Sequence, residues 1–245
     1  AAAIMIAFAI APPTPLQAAA AKSPPATETA LFAGGCFWSM QSALEKGYGV
    51  VKAVSGYAGG KLAKPSYENY AEAGSVEAVR VTFDPAVLSY AELLDLYWRH
   101  TDPTASGGAF FDRGPQYRPI VYYANEGQRK TAAASKAAHE KSAVFGKPIV
   151  AEILPVPSFW PAEDYHQDYA LKYPMAYERY RTASGRDQFF AQVWGASAAL
   201  DLGAPPQAKD GKYSKPSQSE LAKRLNAIQF EVTQNADTEA PFKNE

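Results

Sequence analysis

A chain of 245 residues with one cysteine, Cys36, must hold its fold together without an internal disulfide and without a multi-cysteine zinc site. Its three histidines, His100, His139 and His166, show no metal-ligand spacing, so no metal is expected. Stability therefore has to come from a buried apolar core. The composition supplies one, with 47% apolar and 20% charged residues. The length suits one sizeable domain with extensions rather than two large ones. A formal net charge of −1, with no block of like charge, points away from nucleic acid and from an anionic membrane as partners.

Residues 1–10 are apolar, Pro12, Pro13 and Pro15 come next, and residues 18–21 are a run of alanines. An apolar core followed by small residues reads as a secretory signal. It is too short to span a bilayer as a helix, which takes about 20 residues. The expectation is a periplasmic or otherwise extracytoplasmic protein with no membrane segment in its mature form. Residues 1–27 are thus read as signal and linker, residues 28–200 as the folded domain and residues 201–211, with Pro205, Pro206 and Gly211, as a second linker. The remaining residues 212–245 are too few to build a core alone.

Short apolar runs predict strands over residues 30–33, 50–54, 78–83, 120–123 and 150–154, the third alternating Val79, Val81 and Phe83 with Arg80 and Thr82. Helices are expected over 36–46, stopped by Gly47 and Gly49; over about 90–99, opened by a Ser89–Glu92 capping box; over 126–142, capped by Asn125; over 165–172; and over 186–194. Residues 55–74 and 107–119 read as loops. This irregular alternation predicts an α/β two-layer sandwich, a mixed sheet with helices packed on it.

Cys36 follows Gly34-Gly35 and stands where a helix opens. Unpaired backbone N–H groups and the positive end of the helix dipole favour thiolate there, and the thiolate is the nucleophile. Phe37 and Trp38 place an aromatic surface beside the sulfur.

The run Gly34-Gly35-Cys36-Phe37-Trp38 resembles the signature of the A-type peptide methionine sulfoxide reductases. Further motifs agree in order: Val54-Ser55-Gly56-Tyr57-Ala58-Gly59-Gly60, Pro65-Ser66-Tyr67-Glu68, Glu77-Ala78-Val79, Asp112-Arg113-Gly114-Pro115-Gln116-Tyr117-Arg118 and Ala162-Glu163-Asp164-Tyr165-His166-Gln167. The resemblance covers about residues 31–195. It implies a ferredoxin-like fold and a thiol-dependent oxidoreductase that repairs oxidative damage by reducing the S epimer of methionine sulfoxide, free or in proteins. Cys36 is implied as the nucleophile that becomes a sulfenic acid, and Glu77 as the acid that protonates the departing oxygen. Tyr67 and Tyr117 are implied as hydrogen-bond partners of that oxygen, Asp112 as a polar residue ordering its loop, and Phe37 and Trp38 as the pocket for the S-methyl group. His166 matches a family position without an assigned chemical role.

Two departures from the family pattern stand out. Ser75 occupies a position that is often histidine, beside Glu77, and Ser184 stands where some members carry a recycling cysteine. With no second thiol, Cys36 is expected to be reduced by an external thiol, a thioredoxin-like protein or a dithiol, and no bound cofactor is expected. The matches in residues 212–245, among them Lys212-Tyr213 and Thr238-Glu239-Ala240-Pro241-Phe242, resemble the opening of the B-type reductases, and imply a piece of an A–B fusion. A monomer is expected. Two other readings stay open: a hydrolase or acyltransferase that pairs Cys36 with His166 as base, and a binding module with an inert Cys36.

Overall fold

The computed structural model describes residues 26–195; the expected leader, the second linker and the segment 212–245 lie outside the described residues, apart from residues 26 and 27. The strands are β1 (Glu28–Ala33), β2 (Val50–Ala58), β3 (Val76–Phe83), β4 (Gly108–Ala109), β5 (Asp112–Arg113), β6 (Ile120–Tyr123), β7 (Glu152–Pro155) and β8 (Phe159–Pro161). The helices are α1 (Phe37–Leu44), α2 (Tyr90–Arg99), α3 (Glu126–Ser142), α4 (Tyr169–Lys172), α5 (Pro174–Ala183) and α6 (Arg186–Trp194).

Six strands form one sheet in the order β7-β6-β1-β3-β2-β8, and β4 and β5 form a separate hairpin. Within the large sheet β6 and β7 run parallel and every other pair is antiparallel, so the sheet is mixed, as expected. The succession β1-α1-β2-β3-α2-β6, with spatial order β6-β1-β3-β2, is the split βαβ arrangement of a ferredoxin-like fold.

Strand alternation decides what each face carries. On β1, Ala30 and Phe32 join the larger core, while Leu31 and Ala33 join a smaller one on the opposite face. On β3, Val79, Val81 and Phe83 belong to the larger core and Val76 and Ala78 to the smaller. Glu77 shares the parity of Val79, so β3 turns its carboxyl toward the face that carries the larger core, where it meets the start of α1 at Phe37.

Local chemistry sets the helix boundaries. Ser89 and Glu92 form the full capping box at α2. Asn125 Oδ1 accepts from Gln128 N at 2.9 Å to open α3. Several expectations are corrected. Strand β2 continues to Ala58 through residues read as loop, because Gly56 to Ala58 pair with β3 on one side and β8 on the other. The last parallel strand begins at Glu152 rather than 150, and the stretch 165–168 is turn, with helix only from Tyr169 to Lys172. The stretch 107–119 contains the β4–β5 hairpin and a 3-10 turn over Pro115–Tyr117. Strand β8 and helix α5 are additional to the sequence reading.

Candidate active site

The sharp passage from β1 into α1 is made by Gly34 and Gly35. A side chain at Gly34 would put its Cβ 2.5 Å from Thr101 Oγ1. Gly35 has φ 93°, and a Cβ there would lie 2.7 Å from an Arg186 guanidinium nitrogen. Cys36 is the N-cap of α1 and only 5% exposed.

The carboxyl of Glu77 reaches the same helix start from β3. Its Oε2 accepts from the backbone N–H of Phe37 at 2.8 Å, and its Oε1 accepts from the Tyr70 hydroxyl at 2.9 Å. Glu77 is 2% exposed. Burial pushes its pKa up to about 8 even though both hydrogen bonds pull the other way, so the carboxyl keeps its proton at neutral pH. An acid that is neutral at pH 7 and aimed at a helix N-terminus beside a thiol is poised to donate a proton.

The thiol itself corrects an expectation. Placement at a helix start was expected to favour thiolate; instead burial, followed by the nearby Glu77 charge, pushes Cys36 up to about 12, with Arg186 acting in the opposite sense. Desolvation outweighs the helix dipole because the sulfur is almost wholly enclosed. Protonation of Glu77 removes one of the causes that hold the thiol up.

Asp112, on β5, is tied into this cluster. Its Oδ2 accepts from the Tyr180 hydroxyl at 2.7 Å and lies 3.4 Å from an Arg186 guanidinium nitrogen. That pairing ties the hairpin to α5 and α6. Tyr67 is 42% exposed at the rim of the site, with Cys36, Glu77 and Asp112 among its electrostatic neighbours. Its backbone N–H is held by Glu163 Oε1 at 3.0 Å, and Glu163 Oε2 accepts from Tyr57 at 2.7 Å. The hydroxyls of Tyr117 and Tyr70 are hydrogen-bond neighbours, which links Tyr117 through Tyr70 to Glu77. The structure therefore gathers Cys36, Glu77, Tyr67, Tyr117 and Asp112 into one site.

Phe37 is buried and Trp38 half-buried. The indole stacks on Tyr169, ring centroids 3.7 Å apart, and donates its N–H to His166 Nδ1 at 3.0 Å. His166 thus serves the aromatic wall, and its Nδ1 is turned to Trp38 rather than to the sulfur. Because Nδ1 accepts, the ring proton sits on Nε2, 3.9 Å from Glu163. The base that a Cys36 hydrolase needs is not in place.

Sequence comparison points the same way. Residues 28–198 match the peptide methionine sulfoxide reductase family. The chain belongs to that family. It is 48% identical over 170 residues to peptide methionine sulfoxide reductase MsrA of Bacillus licheniformis, covering 69% of this chain and 94% of that one. It is 41% identical over 228 residues to peptide methionine sulfoxide reductase MsrA/MsrB of Vibrio cholerae, covering 89% of this chain and 60% of the relative, so the chain spans three fifths of that protein's length. Among solved structures, methionine sulfoxide reductase A of Corynebacterium diphtheriae superposes with a TM-score of 0.58 at 29% identity, covering 62% of this chain and 77% of that one. Mxr1 from Saccharomyces cerevisiae in reduced form gives 0.57 at 29% identity, with coverage of 61% and 87%.

Within this reductase domain the two departures find simple explanations. Ser75 donates to the Gly59 carbonyl at 2.9 Å and makes no bond to Glu77, whose partners are Phe37 and Tyr70. Ser184 is buried at the end of α5 and donates to the Arg181 carbonyl at 2.6 Å.

Four contributors escaped the sequence reading: Tyr70, Glu163, Tyr180 and Arg186. Tyr70 lies three residues after Tyr67, and that one-turn spacing is the signal that could have found it. A cleft of about 690 Å³ lies elsewhere, lined by Gln41, Glu45, Lys52, Arg80, Asp164 and Leu171; Cys36, Glu77 and Asp112 do not line it.

Replacing His166 with alanine leaves the Trp38 indole N–H without an acceptor. A lost hydrogen bond of about 1 kcal/mol corresponds to roughly a fivefold rise in KM, with a smaller change in kcat. Steady-state kinetics on a methionine sulfoxide peptide measures it. An unchanged KM would mean that the Tyr169 stack alone holds the indole.

Proposed function

We propose that this chain reduces the S epimer of methionine sulfoxide, free or in proteins, to methionine, and so repairs oxidative damage. The observation that carries this reading is the Glu77 carboxyl, buried, protonated at neutral pH and bonded to the first N–H of the helix that Cys36 caps.

The sulfoxide's S-methyl group rests on Phe37 and Trp38, and its oxygen faces Glu77, Tyr67 and Tyr117. Cys36 sulfur attacks the sulfoxide sulfur while Glu77 gives a proton to the oxygen; the thiol proton replenishes Glu77. Glu77 passes this second proton on and the oxygen leaves as water, giving a sulfonium in which the two sulfurs are bonded. Water then attacks the Cys36 sulfur, breaking that bond to release methionine, leaving Cys36 as sulfenic acid and returning a proton to Glu77. The substrate sulfur gains two electrons and Cys36 sulfur loses two. One external thiol condenses with the sulfenic acid, expelling water and forming a mixed disulfide; a second thiol restores Cys36. The chain's lack of a second cysteine supports a thioredoxin-like protein or a dithiol as reductant.

The match to a Vibrio cholerae MsrA/MsrB protein over 89% of this chain supports reading residues 212–245 as the opening of a B-type domain. The apolar N-terminal stretch supports an extracytoplasmic location, and a monomer is the working assembly.

A single turnover without reductant tests the chemistry, with separated S and R epimers of a methionine sulfoxide peptide and mass spectrometry of both products. About one methionine per enzyme from the S epimer alone, with one oxygen added to Cys36, is expected. No methionine and an unmodified Cys36 in folded protein would reject the reading.

A further inference from the structure

Arg186 opens α6, immediately after Gly185, and its side chain is driven inward rather than to solvent; the residue is 1% exposed. A buried guanidinium is costly unless something uses its charge and its donors. One guanidinium nitrogen donates to the Tyr180 oxygen at 2.7 Å and another lies 3.4 Å from Asp112 Oδ2. The guanidinium carbon stacks 4.4 Å from the Phe110 ring centroid, and the enclosed Nε has no hydrogen-bond partner among the described residues. Glycine at residue 35, directly before the cysteine, leaves room for the group: a Cβ there would lie 2.7 Å from a guanidinium nitrogen.

Around the sulfur stand Glu77 from β3, Asp112 from the hairpin, Tyr67 from the loop after β2, Tyr180 from α5 and Arg186 from α6. Glu77 and Asp112 raise the cost of a negative charge on the sulfur. Tyr180 has one proton and two places to send it. In the resting site it goes to Asp112 at 2.7 Å, yet the same hydroxyl is a hydrogen-bond neighbour of Cys36.

We propose that Arg186 is a positioning residue for the Cys36 thiolate: it grips the Tyr180 oxygen and lies against Asp112, so that the phenolic proton can turn from Asp112 to the sulfur as the thiol ionises. When that proton leaves, Asp112 keeps the guanidinium as its partner, and the site never holds an unpaired carboxylate. The proposal deepens the function above and rests on Cys36 as the attacking group.

The test reads the sulfur without any sulfoxide. Cys36 is the only thiol that iodoacetamide can alkylate, so added mass on that residue in folded protein reports its thiolate fraction. Rates are compared at several pH values for the unaltered chain, Arg186→Gln and Tyr180→Phe. The expected result is an alkylation rate about tenfold slower at each pH below the midpoint in both variants, the equivalent of one pH unit. A merely structural role would loosen the site and speed alkylation. A rate in Tyr180→Phe equal to or above that of the unaltered chain overturns the proposal, even where Arg186→Gln does not fold. Failure of the epimer experiment with a slowed alkylation would instead sink the reductase reading and leave the effect of Arg186 on the thiol standing.

Discussion

Glu77→Gln is expected to slow single-turnover methionine release by roughly 10²- to 10⁴-fold, the range for losing a positioned general acid, and to stabilise the protein at alkaline pH. The activity loss follows because an amide has no acidic proton for the departing oxygen. The stability gain follows from linkage. The carboxyl titrates near 4.5 in an unfolded chain and at about 8 in the fold. Between those values the folded state holds a proton that the unfolded chain has released, so stability falls as pH rises through this window. Above pH 8 the fold must carry a desolvated charge, and glutamine, of the same shape, carries none. Melting temperatures of the two proteins should therefore diverge from pH 5 to pH 9, with the variant higher at pH 9. Parallel melting curves, or turnover that survives the substitution, would sink the assignment of Glu77 as the buried acid.

Gly56→Ala is expected to damage both stability and substrate binding. A Cβ at this position would lie 2.3 Å from the Trp160 carbonyl oxygen and 2.5 Å from the Phe159 ring. The ring can move, but the carbonyl belongs to β8, which pairs with β2 here. Overpacking of this kind costs about 1–3 kcal/mol. Displacing β8 also disturbs the segment after it. Ala162 N bonds the Ser55 carbonyl at 2.9 Å, and Gln167 Nε2 bonds the same carbonyl at 2.9 Å. Those contacts seat the residues around Glu163 and His166, and hence the backbone of Tyr67 and the indole of Trp38. Denaturant unfolding should show a lower midpoint, and KM for a sulfoxide peptide should rise. A lowered midpoint with an unchanged KM would separate strand pairing from the aromatic pocket.

What the sequence revealed and what it concealed divide along a physical line. Signals that act within one turn were legible: the Ser89–Glu92 box, the Asn125 cap, the strand Ile120–Tyr123 and the helix Arg186–Trp194 lie where local chemistry put them. Helix α5 was not, because only Tyr177 of its ten residues is buried and it begins with Pro174, so neither a period nor a cap announced it. Strand β8 is three residues ending in Pro161, and it exists because β2 offers it an edge. At the site, Cys36, Glu77, Tyr67, Tyr117 and Asp112 came from motif resemblance. Arg186 and Tyr180 meet Asp112 across more than sixty positions of sequence, a separation no local pattern spans. The state of the thiol was misread because the helix start is visible in sequence, whereas the lid of side chains that desolvates it is not.

The alternation along β3 has a consequence for how this chemistry can be lost. Deleting Ala78 while keeping the pairing of Val79 with Phe32 and Ser55 would leave the rest of the strand in place. It would nevertheless send the carboxyl to the opposite face and bring Val76 beneath the cysteine. The acid is therefore addressed by counting in twos from the middle of the sheet. A frame error of one residue would yield a sheet of the same strands with the carboxyl on the wrong face, so, with Glu77 as the proposed acid, the turnover of a refolded sample doubles as a readout of whether its central strands have paired in step.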